Sequence, residues 1–103
     1  MKTLILTAAS AALIVASGLA SADQALAMKN ACMSCHNVDT RKVGPGFKEI
    51  AKKYAGDASA PAKLAAKIKT GGKGVWGQIP MPPNPQVSAA DTAKLVTWVL
   101  SLK

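Results

Sequence analysis

The chain holds one histidine, two cysteines, one phenylalanine, one tyrosine and two tryptophans among its 103 residues. Each scarcity excludes something. One histidine and two cysteines leave zinc a ligand short of a closed structural site. Cys32 and Cys35 have the spacing of a redox dithiol. Such a pair needs a βαβ frame, and no stretch around them alternates as a strand. Four large aromatic residues, Phe47, Tyr54, Trp76 and Trp98, are few for the core of a chain this short. A domain of that size is marginal on its own side chains. Past Leu19 there is no long apolar run, so no second span and no C-terminal anchor is expected. Acidic residues are also sparse, 5 against 13 Lys and Arg, giving a formal net charge of +8.

What is present begins with an export signal. Lys2 supplies a charged start, Leu4 to Leu19 an apolar stretch, and Ala20-Ser21-Ala22 an A-x-A cleavage site before Asp23. Residues 1–22 are therefore read as a signal peptide cleaved after Ala22. The stretch is rich in Ala, Ser and Gly and short for a retained anchor, which takes about 20 strongly apolar residues. No cysteine stands at the cleavage point, so lipoprotein processing is not indicated. Residues 23–103, 81 in all, suffice for one domain in the periplasm. Without Lys2 the net charge is +7. Nucleic acid is the usual reading of a basic chain, but export and the lack of any nucleic-acid motif argue against it. A redox partner with an acidic docking surface suits the charge better, because steering raises encounter rates. A uniformly solvated basic surface is the plainer alternative.

The most specific signal is Cys32-Met33-Ser34-Cys35-His36. C-x-x-C-H is an attachment motif for c-type haem, and it uses every cysteine and histidine of the chain. Two cysteines three apart on a helix lie on one face, so both sulfurs can form thioethers to one porphyrin edge. His36 follows as the proximal iron ligand. A buried haem supplies the apolar bulk that the few aromatics do not, so an apo form that is largely unfolded is expected.

The remaining pattern is helical. Leu26, Ala27, Ala31, Cys32 and Cys35 recur at helical spacing from Gln24 to Cys35, placing the haem motif on the end of a first helix. Val43-Gly44-Pro45-Gly46 is a turn cluster. A second helix carries Phe47, Ile50, Ala51 and Tyr54 on one stripe and stops at Gly56. A third starts after Ser59 as its cap, with Pro61 in the first turn, and turns Leu64, Ala65 and Ile68 inward before Gly71-Gly72. Lys63, Lys67 and Lys69 decorate it as a solvated face. Residues 71–87 read GGKGVWGQIPMPPNPQV, where Pro80, Pro82, Pro83 and Pro85 block helix and strand. Ser88 to Asp91 form a capping box, and Leu95, Val96, Val99 and Leu102 give the last helix its apolar stripe. The fold class is all-α, a single small domain of about four helices wrapped around one covalent haem.

A haem with two protein ligands tends to carry electrons, whereas one with an open position binds gases or peroxide. With one histidine, the second ligand must be another residue type. Met81 is the candidate, in a loop that its flanking prolines stiffen; an isolated methionine elsewhere is usually core filler.

At this point the chain resembles a small bacterial class I cytochrome c of the c-551/c-552 group. The likeness runs from the first helix through CMSCH, VGPGF, KIKTGGKGVWGQIPMPPN and the closing TWVLSLK, and GVWGQIPMPPN is its most specific part. The resemblance implies His36 and Met81 as axial iron ligands and Cys32 and Cys35 as thioether positions. It implies that Pro45 accepts a hydrogen bond from the proximal imidazole. It further implies that Asn84 hydrogen-bonds near the methionine sulfur and that Trp76 donates to a haem propionate. Lys67 stands where an arginine often faces that propionate, keeping the charge but losing the planar fork. Pro85, directly after Asn84, stiffens the methionine loop further. The expected function is a periplasmic monohaem one-electron carrier, not an enzyme. It would act as a monomer between respiratory or other periplasmic redox proteins, with nitrite reductases and terminal oxidases among the candidate acceptors and nothing in the sequence choosing between them. The alternative is a gas sensor or peroxidase-type enzyme with an open sixth iron position.

Overall fold

A computed structural model describes residues 16–103, with side chains from Asp23 onward. Four α-helices follow in order: α1 (Ala16–Lys29), α2 (Phe47–Lys53), α3 (Ala60–Thr70) and α4 (Ala89–Ser101). Among the described residues no strand forms, and the one extended pairing is an isolated antiparallel bridge between Gly72 and Met81. The all-α expectation with about four helices therefore holds. The expected leader falls mostly outside the described residues, and the backbone of α1 runs through its cleavage point at Ala22. No helix among the described residues is long and apolar enough to cross a membrane.

α4 organises the rest, packing against α1, α2 and α3. Its start is fixed by Ser88, whose hydroxyl accepts from the Asp91 backbone N–H at 3.1 Å. Its inward residues Leu95, Val96, Trp98 and Val99 are buried. Leu95, Trp98 and Val99 meet Phe47 and Ile50 of α2, Ala27 of α1 and Val87 of the preceding turn in one core. Leu64, Ile68, Tyr54 and Trp76 are only half-buried along its edge.

Two local readings need correction. The first helix does not run to Cys35: it stops at Lys29, and Ala31 adopts a left-handed backbone (φ 62°). Cys32–Ser34 then form a separate 3-10 turn. The 3-10 geometry eclipses residues three apart, so Cys32 and Cys35 still share a side. The apolar spacing continued across the break, but Ala31 itself is exposed and anchors nothing in the core. Ser59 does not cap α3 with its hydroxyl either. That hydroxyl donates to Asp57 Oδ1 at 2.6 Å, and Asp57 also accepts from the Ser59 N–H and from Lys63 Nζ. Asp57 thus ties the turn to the first turn of α3, and these bonds hold its carboxyl below its ordinary pKa, the Ser59 hydroxyl contributing most.

Candidate functional site

His36 is held on three sides. Its Nδ1 lies 2.7 Å from the Pro45 carbonyl oxygen. A carbonyl only accepts, so Nδ1 carries the proton and Nε2 keeps the lone pair a metal would take. Phe47 stacks on the imidazole with centroids 5.0 Å apart and planes at 20°. Trp98 of α4 meets Phe47 edge-on at 5.4 Å and 71°, so the helical core braces the stack. Gly44 lies against the ring so closely that a Cβ there would sit 2.8 Å from His36 Cε1. The Gly44 N–H donates to the Cys35 carbonyl at 2.7 Å, which holds that glycine in place. The turn 43–46 thus clamps the imidazole as well as linking two helices.

Met81 is fixed from the other end of the chain. α3 closes where Gly71 donates to Lys67 O at 2.8 Å, and Gly71 takes φ 69°. The next residue exchanges two backbone hydrogen bonds with Met81: Gly72 N–H to Met81 O at 3.0 Å and Met81 N–H to Gly72 O at 2.8 Å. Asn84 N–H donates to Ile68 O at 2.9 Å, satisfying one of the helix-end carbonyls. A Cβ on Gly71 would run into Met81 O and come within 2.9 Å of Pro82 and Pro83, so this strap requires glycine there.

A cavity of about 450 Å³ lies between these parts. Cys35, His36, Pro45, Ile50, Tyr54, Leu64, Val75, Trp76, Ile79 and Met81 all line it. That volume falls in the range of about 300–1,000 Å³ usual for cofactor pockets. Arg41, Lys63, Lys67 and Lys73 also line it, and no acidic residue does. An unprotonated imidazole nitrogen, a thioether sulfur, apolar walls and several cations suit a flat apolar metal macrocycle that carries carboxylates.

Of the residues singled out from the sequence, Cys35, His36, Pro45, Lys67, Trp76 and Met81 come together on this cavity. Cys32 and Asn84 do not line it. Cys32 is half-buried against the core, its Sγ 3.9 Å from Asn30 O. Burial pushes its thiol up, with a backbone hydrogen bond opposing. A reactive C-x-x-C dithiol needs the opposite shift, so the dithiol alternative finds no support here. The Asn84 amide donates to Pro82 O at 3.1 Å, closing its own turn instead of reaching the methionine side chain. The sequence showed Gly44 only as part of a turn and Phe47 only as part of a helix stripe, and gave no sign that Arg41 lines the cavity. The one available signal was an aromatic directly following the Gly-Pro-Gly turn.

The profile of the Cytochrome c family matches residues 21–103. Cytochrome c-552 of Nitrosomonas europaea is 52% identical over 103 residues, which covers 100% of both chains. Cytochrome c-551 of Pseudomonas aeruginosa is 48% identical over 91 residues, 87% of this chain and 86% of its own. The crystal structure of wild-type Nitrosomonas europaea cytochrome c552 superposes with a TM-score of 0.75 at 56% identity, covering 78% of this chain and 99% of that one. The chain belongs to the cytochrome c family. Within it, this is a small class I monohaem cytochrome, an electron carrier with one covalently attached haem c, similar to the c-551 and c-552 proteins. The open-site alternative, a sensor or peroxidase, finds no support among these relatives.

Proposed function

We propose that the protein shuttles single electrons between periplasmic redox proteins, with iron held permanently between His36 and Met81. The observation that carries this reading is the meeting of a clamped, Nε2-free imidazole and a strapped methionine on one cavity. Cys32 and Cys35 would hold the macrocycle through thioethers, His36 Nε2 and Met81 sulfur would bind the iron, and Trp76 with Lys67 would face a propionate. When bound, haem supplies a ferric–ferrous couple and nothing else that the function requires.

The chain's own part is to keep everything still while the charge changes. Pro45 O holds the Nδ1 proton and with it the imidazole's orientation and basicity. Phe47 and Gly44 prevent the ring from turning. The Gly72–Met81 bridge keeps the sulfur in reach of the cavity, and a thioether ligand favours the reduced state. Ile50, Tyr54 and Leu64 exclude water, which disfavours the extra positive charge of the oxidised state. The lysine excess suits a brief complex with an acidic partner, a periplasmic reductase or terminal oxidase among the candidates. The expected cleavage after Ala22 accords with maturation outside the cytoplasm.

Met81→Ala tests the reading. The variant should keep haem attached on a denaturing gel, bind carbon monoxide when reduced and show a lowered potential. Wild-type potential together with no carbon monoxide binding would remove Met81 as the ligand.

A further inference from the structure

The cavity presents four cations and no carboxylate, whereas a haem brings two propionates. Three of the four cations are poor matches for a bidentate carboxylate. Lys63 Nζ is engaged with Asp57 Oδ2 at 3.2 Å. Lys67 folds over Gly72, its Nζ 2.5 Å from where a Cβ on that glycine would stand, and it is a point charge without a fork. Lys73 is exposed in the loop between Gly72 and Gly74.

Arg41 differs. Its guanidinium carbon lies 5.7 Å from the centroid of the Trp76 ring, and both residues line the cavity. Its ion pair is with Glu49 at 3.9 Å, the outer limit of such contacts, and both side chains are over a third exposed. A pair of that kind contributes little and leaves the guanidinium's donors largely free. We propose that Arg41 supplies the guanidinium fork for a haem propionate, sharing the carboxylate with Trp76 and adding the planar donors that Lys67, facing the same propionate, lacks. The inference rests on the reading of the cavity as the haem site.

The physical case is one of geometry and charge. Arginine presents planar donors that match a carboxylate bidentately, and it stacks on indole faces without losing them. Lys53 Nζ lies 5.6 Å from the same Trp76 centroid, so a second cation strengthens the positive field around the indole. The charged and titratable groups around this corner are Glu49 and Lys53 from α2, Tyr54 at its end, Lys63 of α3 with its partner Asp57, Lys67 of α3, Lys73 from the loop, and His36. Glu49 is the acid paired with Arg41, and it competes with the propionate for it.

The test is the reduction potential of the matured holoprotein as a function of pH, for wild type, Arg41→Gln, Arg41→Lys, Glu49→Gln and Lys53→Gln. A propionate held ionised by Arg41 titrates low. An opposite charge at contact range is worth roughly 1–3 pH units. Arg41→Gln should therefore move the pH-dependent inflection of the potential upward by about one unit or more. Arg41→Lys should move it less, and Glu49→Gln should move it down or leave it. An unmoved inflection in Arg41→Gln, with haem content and absorption spectrum matching wild type, overturns the inference and leaves the haem reading intact. An equal shift in Lys53→Gln overturns it too, because bulk positive charge would then suffice. If Arg41→Gln does not mature, an inflection in Arg41→Lys that matches wild type overturns the requirement for a fork. Absence of covalent haem from the wild type would instead sink the reading on which the inference rests.

Discussion

A single imidazole in this protein is positioned by three contacts of different kinds: a hydrogen bond to Pro45 O, a stack on Phe47 and a glycine pressed against the ring. Each removes one freedom of the side chain, and together they leave Nε2 as the ring nitrogen open to iron. Gly44 is the most sensitive of the three, because its lack of a Cβ is what allows the approach. Gly44→Ala should force the ring to shift, weaken the Pro45 bond and cost about 1–3 kcal/mol, the usual range for overpacking. Denaturant unfolding of the holoprotein would measure the loss, and the ferric absorption bands should move with the displaced ligand. The attachment motif was legible in the sequence because cysteine and histidine are scarce here and chemically committed, and Met81 stood out by its place among prolines. The Pro45 bond followed from the family resemblance, but the contacts of Gly44 and Phe47 with the ring were not legible, because they depend on where those residues lie in space and not on what they are.

At the level of elements, the helices were readable from their apolar spacing, whereas their ends were set by backbone geometry that spacing does not record. α1 ends because Ala31 turns left-handed, a conformation that costs an alanine about 1–2 kcal/mol and a glycine almost nothing. Ala31→Gly should therefore stabilise the protein by about 1 kcal/mol, seen as a higher urea midpoint with an unchanged slope. The start of α3 shows the complementary case. Ser59 looked like the cap in sequence, but its hydroxyl serves the carboxylate of Asp57, which binds the turn and Lys63 together. Because the folded protein lowers this carboxyl's pKa, its stabilising effect is complete above the unfolded value of about 3.9 and fades as pH falls through the lower folded one. Wild type should exceed Asp57→Ala in stability at neutral pH, and the gap should narrow as the pH drops below about 4. A gap that stayed constant through the acid range would mean that the charge of Asp57 is not what stabilises α3.

Across the whole molecule, the helices surround a cavity of about 450 Å³ instead of closing on one another. Leu64, Ile68, Tyr54 and Trp76 reach only half burial in the polypeptide, and the folded chain leaves Val75 and Ile79 of the cavity lining 48% and 67% exposed. Four helices with so much apolar surface turned to this cavity bury too little among themselves to offset chain entropy in a domain this small. The apo-protein, made without haem attachment, should therefore give a poorly dispersed NMR spectrum, and a well-dispersed one would contradict that account. The same arrangement explains why the fold class was readable while the cavity was not: spacing shows which residues turn inward, but not that they line a space a cofactor fills. The measurement that bears most directly on the central claim is the absorption spectrum of protein matured in a bacterial periplasm, with and without carbon monoxide. A low-spin spectrum, with a weak red sulfur-to-iron band when oxidised and no response to carbon monoxide when reduced, is the predicted result. A high-spin spectrum that shifts with carbon monoxide would contradict it, because the iron would then have a coordination position that Met81 does not fill.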